Sequence, residues 1–173
     1  MENDLGFKNL TGDNWLERDI ATTVFVRVSD GQIRPTTSDD WVVDILSPKL
    51  LETIPVEIQK LFEVARGILL YGYFFYPLYA LGTEQLVRIA EAAISFKCKT
   101  LQAAPTFRTF EKKIDFLADN HVISQQEREG WHAIRKFRNE VSHPKNQTIL
   151  PPGSAIGLLE YITDKINILF SNT

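Results

Sequence analysis

The stretch RKFRNEVSH, residues 135–143, combines three basic side chains with the last of the chain's three histidines. An imidazole can act as a general acid or base near neutral pH. A guanidinium can stabilise the negative charge that develops on phosphate oxygens. The stretch is therefore either the end of an ordinary surface helix or the part of the protein that carries its chemistry, with Arg138 and His143 as the candidate side chains.

A helix over residues 124–141 is predicted to carry this stretch at its C-terminal end. Ser124 and Glu127 form a capping box at its start. Its apolar residues recur at helical spacing and predict a stripe that faces the core: Trp131, Ile134, Phe137 and Val141. Arg138 falls on or beside that stripe, where a charge needs a carboxylate, a partner subunit or an anionic ligand.

Pro144 predicts that this helix ends before His143, because the residue before a proline avoids the helical backbone conformation. In a continuous helix, Arg138 and His143 would point about 140° apart around the axis. Since the helix is expected to stop near Val141, the histidine can turn back toward the arginine. The sequence therefore predicts that an arginine and a histidine can meet at a helix C-terminus.

The segment RNEVSH, residues 138–143, resembles the R-x(4–6)-H motif of the HEPN superfamily. These are small helical-bundle proteins that are common in toxin–antitoxin, abortive-infection and other defence systems. In that family an Asn, Asp or His often follows the arginine, and here it is Asn139. The resemblance covers roughly residues 55–170 and leaves the N-terminal region out.

The resemblance implies metal-independent cleavage of RNA, in which the 2′-hydroxyl attacks the adjacent phosphodiester. It implies His143 as general base or acid, Arg138 as the group that stabilises the phosphate charge, and Asn139 as an orienting side chain. Arg135 is a candidate for assisting phosphate binding, although Arg135 and Lys136 are otherwise expected to be solvated. The resemblance further implies a homodimer, a cognate antitoxin or other defence partner, and neither a metal nor a cofactor.

A non-catalytic interpretation remains open. Glu84, Arg88 and Glu91 are spaced at i, i+4 and i+7, so one helix face offers two carboxylates that could hold Arg138 in a structural ion pair. His143 could instead bond the last carbonyls of its helix. The chain would then be a helical interaction, scaffold or regulatory protein.

Composition limits the classes of function. The 173 residues are 44% hydrophobic and 24% charged, which is typical of a single folded domain. A net charge of −3 argues against a broad basic surface, so any contact with RNA is expected to be local. The single cysteine, Cys98, excludes an intrachain disulfide and zinc sites built from several cysteines, and it fits a cytoplasmic location.

The most apolar stretch, residues 68–81, is shorter than the about 20 residues that a membrane span requires. No membrane association is expected, and the stretch is interpreted as a buried helix or a subunit interface. The N-terminus shows no secretory signal. A third interpretation of the chain is a small-ligand sensor, with a pocket lined by Tyr71, Phe74 and Phe75.

Residues 1–46 are predicted to form a β-containing N-terminal arm. Val24, Val26 and Val28 alternate along the chain and precede Asp30-Gly31, which is a strand–turn signal. Residues 41–46, WVVDIL, are interpreted as a further short strand. So few strands can hardly be stable alone, and the arm should pack on the bundle or on a partner subunit.

Residues 47–173 are predicted to form a helical bundle of about four to five helices, which makes the fold class mainly α. Ser47 is expected to cap a short turn-like helix over residues 47–55. The long helices are predicted over residues 56–76, 78–99, 106–120, 124–141 and, capped by Ser154, 153–170. Gly67, Gly72 and Gly82 indicate close packing within the apolar helices.

Overall fold

The computed structural model describes residues 6–104, 106–141 and 151–171, apart from the side chains of residues 140 and 141. These residues form a two-stranded sheet followed by six α-helices. The elements are β1 (Val26–Ser29), β2 (Gln32–Pro35), α1 (Ser38–Leu46), α2 (Val56–Tyr71), α3 (Leu78–Thr100), α4 (Phe110–Asp119), α5 (Gln125–Val141) and α6 (Pro152–Ser171). The predicted fold class, a mainly α bundle with a small β-containing N-terminal arm, is confirmed.

Helix α3 lies at the centre of the bundle, where it contacts α2, α4, α5 and α6. Its residues Ile89, Ala90, Ala93 and Ile94 are fully buried. Two alanines among these four keep the helix narrow, which lets neighbouring helices approach it closely. The candidate site therefore rests on a helix that is held on several sides.

The β-hairpin forms where the alternating valines and Asp30-Gly31 predict it. Strands β1 and β2 pair antiparallel, with Val28 opposite Ile33. Asp30 and Gly31 have φ angles of 53° and 74°, the positive values that a two-residue type I′ turn requires. Both strands are edges of the sheet, because it has only two strands within the described residues.

Residues 41–46 belong to helix α1, so the predicted strand here is wrong. The Thr37 hydroxyl accepts a hydrogen bond from the amide of Asp40, and the Asp40 carboxylate accepts one from the amide of Thr37. This capping box starts a helix just before the apolar run. Trp41 and Ile45 are one turn apart and both buried, so the run meets the core at helical spacing.

Residues 47–55 form an irregular connection rather than the predicted short helix. Ser47 ends α1, its amide donating to the carbonyl of Val43 at 2.9 Å. The Asn167 side chain of α6 holds the connection from the other side. Its Nδ2 donates to the carbonyl of Lys49 at 2.9 Å, and its Oδ1 accepts from the amide of Leu51 at 3.0 Å. Tertiary hydrogen bonds thus replace those of a helix.

The helix predicted over residues 56–76 ends earlier, at Tyr71. A Cβ on Gly72 would lie 2.7 Å from the ring of Tyr79, in the first turn of α3. The chain therefore turns at a glycine because α3 packs directly against that point. Pro77 follows at the start of α3, as expected for a residue that cannot continue the preceding helix.

Of the last three helices, α4 and α6 begin at residues other than those predicted, whereas α5 begins at its predicted capping box. Helix α4 begins at Phe110, because the hydroxyl of Thr109 accepts from the amide of Lys112 and caps it there. Helix α6 begins at Pro152, so Ser154 lies inside its first turn and does not cap it. The predicted capping box of α5 is confirmed, with bonds between Ser124 and Glu127 of 2.8 and 3.2 Å.

Asp19 fastens the N-terminal arm to the bundle. Its carboxylate is fully buried and accepts hydrogen bonds from the amides of Lys8, Ala21 and Tyr76, the last at 2.8 Å. Tyr76 lies in the turn between α2 and α3, 57 residues further along the chain. Three amide donors compensate a buried carboxylate for its lost hydration.

Aromatic rings fill the contact between the arm and the bundle. Phe25, Trp41, Tyr76 and Tyr79 pack with centroids between 5.7 and 6.2 Å apart. The Tyr79 hydroxyl and the Trp41 Nε1 are buried without a hydrogen-bond partner in the described part of the chain. Burial raises the pKa of Tyr79, since an unsolvated phenolate is unfavourable.

The aromatic stretch 68–81 is used largely for packing between rings. Phe74 contacts the rings of Tyr71 and Tyr73, and Phe75 contacts that of Phe7. Such contacts agree with a packed turn region more closely than with a ligand pocket lined by these rings. Within the residues that the structure describes, no helix is long and apolar enough to cross a membrane.

Candidate functional site

Helix α5 presents its basic side chains beside an apolar stripe, as its sequence predicts. Trp131 and Ile134 are buried and Phe137 is partly buried against the core. These three residues fix the rotation of the helix about its axis, because burying their apolar surface stabilises the fold by more free energy than a surface contact does. The three arginines of α5, Arg128, Arg135 and Arg138, consequently point toward the neighbouring helices α3 and α4.

Arg138 lies at the edge of this stripe. Its side chain is 43% exposed, and its Nη2 is 3.2 Å from an Oε2 carboxylate oxygen of Glu91 on α3. Glu91 is one of the two carboxylates on α3 that were predicted as possible partners of Arg138. The other, Glu84, forms no ion pair within the described residues. Arg138 is therefore both held by a carboxylate and open to solvent.

The rest of the predicted motif is only partly described. Asn139 is exposed on the surface of α5, next to Arg138. His143 and Pro144 lie outside the described residues, as does the predicted approach of the histidine to the arginine. The last described residue of α5 is Val141, two positions before His143.

Arg135 is only partly exposed, which differs from the expectation that it is solvated. Its Nη2 lies 3.3 Å from Oε1 of Glu111 on α4, and its side chain is 22% exposed. Its Nε is buried with no hydrogen-bond partner in the described part of the chain. This guanidinium faces α4 and joins two helices, whereas Lys136 is exposed.

A cluster not identified from the sequence lies earlier on the same helix. Arg128 donates to Oδ1 of Asp115 from Nε at 2.9 Å and from Nη2 at 2.6 Å. The Nε2 of His132 lies 3.1 Å from the same oxygen. Burial acts to raise the pKa of Asp115, but the hydrogen bonds from Arg128 and His132 outweigh it and lower the pKa.

The pattern that marks this cluster is visible in the sequence. Arg128, His132 and Arg135 are spaced at i, i+4 and i+7, and Glu111 and Asp115 at i and i+4. Two helices with such complementary faces are expected to pack side by side. The cluster can be recognised only once α4 and α5 are known to be neighbours, and the sequence alone does not show which helices are adjacent.

The three arginines of α5 thus differ in how available they are to a ligand. All three contact carboxylates: Arg128 that of Asp115, Arg135 that of Glu111 and Arg138 that of Glu91. Their exposed fractions are 34%, 22% and 43%, respectively. Arg138 is the most exposed, so it is the guanidinium that a phosphate could reach with the least rearrangement.

Other chemistry-bearing side chains are less suited to catalysis. Cys98 is buried, and burial raises its pKa to about 11, so its thiol stays protonated near neutral pH. Among residues 6–104, 106–141 and 151–171, no group of three or more His, Cys, Asp and Glu side chains could hold a metal ion. The end of α5 is therefore the candidate site.

The sequence matches the model of a protein family. Its description is "Domain of unknown function (DUF4145)", and the match covers residues 83–169, which is half of the chain. The matched region runs from the first turns of α3 nearly to the end of α6 and includes Glu91, Arg138 and His143. It leaves out the N-terminal arm. No curated protein and no solved structure matches the chain.

Proposed function

The chain belongs to the DUF4145 family, and we propose that it is a HEPN-like, metal-independent endoribonuclease of a toxin or phage-defence type. It acts as a cytoplasmic homodimer on RNA. The observation that carries this proposal is the position of Arg138: a half-exposed guanidinium near the end of an amphipathic helix, followed by Asn139 and, at the motif's spacing, His143.

In the proposed reaction, the 2′-hydroxyl of RNA attacks the adjacent phosphorus, and the bond to the 5′-oxygen breaks. The products are a 2′,3′-cyclic phosphate and a 5′-hydroxyl. His143 takes the proton of the attacking hydroxyl or supplies one to the leaving oxygen. Arg138 stabilises the charge that grows on the non-bridging oxygens, and Asn139 orients the phosphate or the imidazole by hydrogen bonding.

The ion pair with Glu91 does not prevent this role. An ion pair that is partly exposed contributes only about 0–1 kcal/mol, and the Arg138 and Glu91 side chains are 43% and 26% exposed. A phosphate offers the guanidinium a second anion with matching geometry. Replacing Glu91 by an RNA phosphate as the partner of Arg138 therefore costs little free energy. When RNA is absent, Glu91 holds Arg138 in place.

The test is cleavage of a labelled single-stranded RNA by the purified full-length protein in the presence of a chelator. We expect His143→Ala to lower the cleavage rate by about 10²–10⁴-fold, since it removes general acid–base catalysis. We expect Arg138→Ala to lower it by about 10²–10³-fold, as for the loss of one charge-stabilising donor. The cleaved ends should be cyclic phosphates.

Lys136→Ala is the matched control, because Lys136 is exposed on the same helix and belongs to neither the motif nor an ion pair among the described residues. It should cleave within a few-fold of wild type. Equal rates for wild type and His143→Ala, with both folded by circular dichroism, would rule out the catalytic proposal.

A second candidate function is a non-catalytic helical interaction, scaffold or regulatory protein. The observation that favours it is that Arg128, Arg135 and Arg138 all contact carboxylates of α3 or α4. On this reading, Arg138→Ala lowers thermal stability because Glu91 loses its partner, and wild type cleaves no RNA. Cleavage that depends on His143 would exclude it.

A further inference from the structure

Lys113 on α4 is a partly buried cation whose hydrogen-bond partner is neutral. Its Nζ donates to Oγ of Ser95 on α3 at 2.8 Å, and the Ser95 hydroxyl in turn donates to the backbone carbonyl of Glu91 at 2.7 Å. Within the part of the chain that the structure describes, no carboxylate lies at ion-pair distance from Lys113. A hydroxyl compensates an ammonium for lost hydration less well than an anion does.

The arginines of α5 are compensated differently, because each of them contacts a carboxylate. Glu91 of α3 and Glu111 of α4 belong to the two helices that hold Lys113, and they are engaged by Arg138 and Arg135. The ammonium of Lys113 therefore differs from the neighbouring cations in having no anion beside it among the described residues. It is suited to receive one from another molecule.

Lys113 and Arg138 contact the same stripe of α3. Glu91, which contacts Arg138, and Ser95, which contacts Lys113, are four residues apart and lie on one face of the helix. At 1.5 Å per residue they are separated by about 6 Å along the helix axis. Successive phosphates of a stacked nucleic-acid strand advance by about 3.4 Å. Cations anchored at this separation suit phosphates one or two nucleotides apart.

Helix α4 holds Lys113 against α3 and presents the preceding residue to solvent. The backbone carbonyl of Lys113 accepts a hydrogen bond from the buried thiol of Cys98 on α3 at 3.5 Å, and the next residue, Ile114, is fully buried. Lys112 is exposed, and its side chain makes no hydrogen bond or ion pair among the described residues. Two consecutive lysines thus have the same charge but different surroundings.

We propose that Lys113 is a second phosphate-binding residue, which holds a phosphate of the RNA strand close to the one that Arg138 contacts. This inference rests on the proposed function, because that function places Arg138 at the scissile phosphate. A lysine ammonium is a compact point charge that binds phosphate without a fixed geometry. Contacts to phosphates position a strand rather than read its sequence. Lys113 therefore sets where along the strand the scissile phosphate meets Arg138.

The test is binding of the full-length protein to a fluorescently labelled single strand of about ten nucleotides. Every 2′-hydroxyl of the strand is methylated, so the proposed reaction cannot cleave it. Fluorescence anisotropy gives the dissociation constant across a series of salt concentrations. One phosphate contact on a single strand contributes about 0.7 to the slope of log affinity against log salt, so Lys113→Gln should lower that slope by about 0.7 and weaken binding about fivefold at about 0.1 M salt.

Lys112→Gln is the matched control, because it removes the same charge from the adjacent residue of α4. It should change the dissociation constant by less than about twofold, since an exposed charge is screened by salt. Lys113→Arg keeps the positive charge and should retain the wild-type slope. Glutamine can still donate a hydrogen bond to Ser95, so Lys113→Gln is expected to fold as wild type does.

A wild type that does not bind the strand would overturn the inference, and so would equal slopes for Lys113→Gln and Lys112→Gln. The strand is not cleaved in this measurement, so the inference and the nuclease proposal can fail separately. Cleavage that depends on His143, with a wild-type slope for Lys113→Gln, would reject only the second phosphate contact. A slope that depends on Lys113, with equal cleavage by wild type and His143→Ala, would reject only the nuclease.

Discussion

Tyr79 carries a hydroxyl whose burial is not compensated. The side chain is fully buried in the contact between arm and bundle, and its oxygen has no hydrogen-bond partner in the part of the chain that the structure describes. An unpaired buried hydroxyl costs free energy relative to water, whereas the ring around it gains from burial. The ring is therefore the stabilising part of this residue.

We expect Tyr79→Phe to leave the free energy of unfolding unchanged or to raise it by about 1 kcal/mol, since it removes only the unpaired group. Thr83→Val is the contrasting variant, because the buried hydroxyl of Thr83 donates to the carbonyl of Tyr79 at 2.8 Å. Thr83→Val should lower the free energy of unfolding by about 1 kcal/mol. Urea denaturation measures both, and a clear loss for Tyr79→Phe would mean that its hydroxyl is bonded.

The sequence identified Arg138 as a candidate residue, but it did not show which carboxylates contact Arg138 and Arg135. Glu91 was one of two candidate carboxylates because helical spacing places Glu84 and Glu91 on one face. Choosing between them requires the offset between α3 and α5, which depends on how the core packs. For Arg135 the same limitation led to the expectation of a solvated side chain, since Glu111 comes from a separate helix.

At the scale of the elements, the pair α2 and α3 shows two glycines with opposite roles. A Cβ on Gly82 would lie 2.5 Å from Cδ2 of Leu69, whose side chain is fully buried. A Cβ on Gly67 would meet nothing within 4 Å. The prediction of close packing is therefore confirmed for Gly82 and wrong for Gly67.

We expect Gly82→Ala to destabilise the protein by about 1–3 kcal/mol, because it overpacks the contact between α2 and α3. Gly67→Ala should instead stabilise it by about 0.5–1 kcal/mol, since alanine favours the helix and finds open space. Melting temperatures of the two variants provide the measurement. A shift in the same direction for both would contradict the packing described for these positions.

The helices with strong periodicity could be predicted from the sequence, but their ends and the connections could not. WVVDIL was interpreted as a further short strand, yet the capping box of Thr37 and Asp40 starts a helix there. Ser47-Pro48 has the form of a helix start, yet Ser47 ends α1. In the first case the capping box and the burial of Trp41 determine the local structure, and in the second case the tertiary hydrogen bonds of Asn167 do so.

At the scale of the whole molecule, aspartates in ion pairs link stability to pH. The hydrogen bond from Arg34, followed by that from the Thr37 amide, holds the pKa of Asp40 well below its usual range. The pKa of Asp115 is also lowered, as described above. In the unfolded chain both groups return to an aspartate pKa of about 3.9. The unfolded state therefore binds protons more readily in acid.

We expect the free energy of unfolding to be roughly constant from about pH 7 to about pH 5, and to fall as the pH decreases from about 4 toward the lowered pKa values of the folded state. Asp40→Asn should have a lower free energy of unfolding than wild type at pH 6. Its free energy of unfolding should fall by less on transfer to pH 3, because one of the titrating groups is absent. Urea denaturation at both pH values tests this. An unchanged loss in Asp40→Asn would show that its ion pairs do not contribute.

The carboxylate of Asp19 also determines the order in which the protein can fold during synthesis. It needs the amide of Tyr76, which leaves the ribosome 57 residues later. At about 5–20 residues per second that delay is roughly 3–11 s. The arm is therefore made first but completed only after the turn between α2 and α3 exists. Until then the carboxylate of Asp19 lacks one of its three amide donors, and the arm is not yet fastened to the bundle.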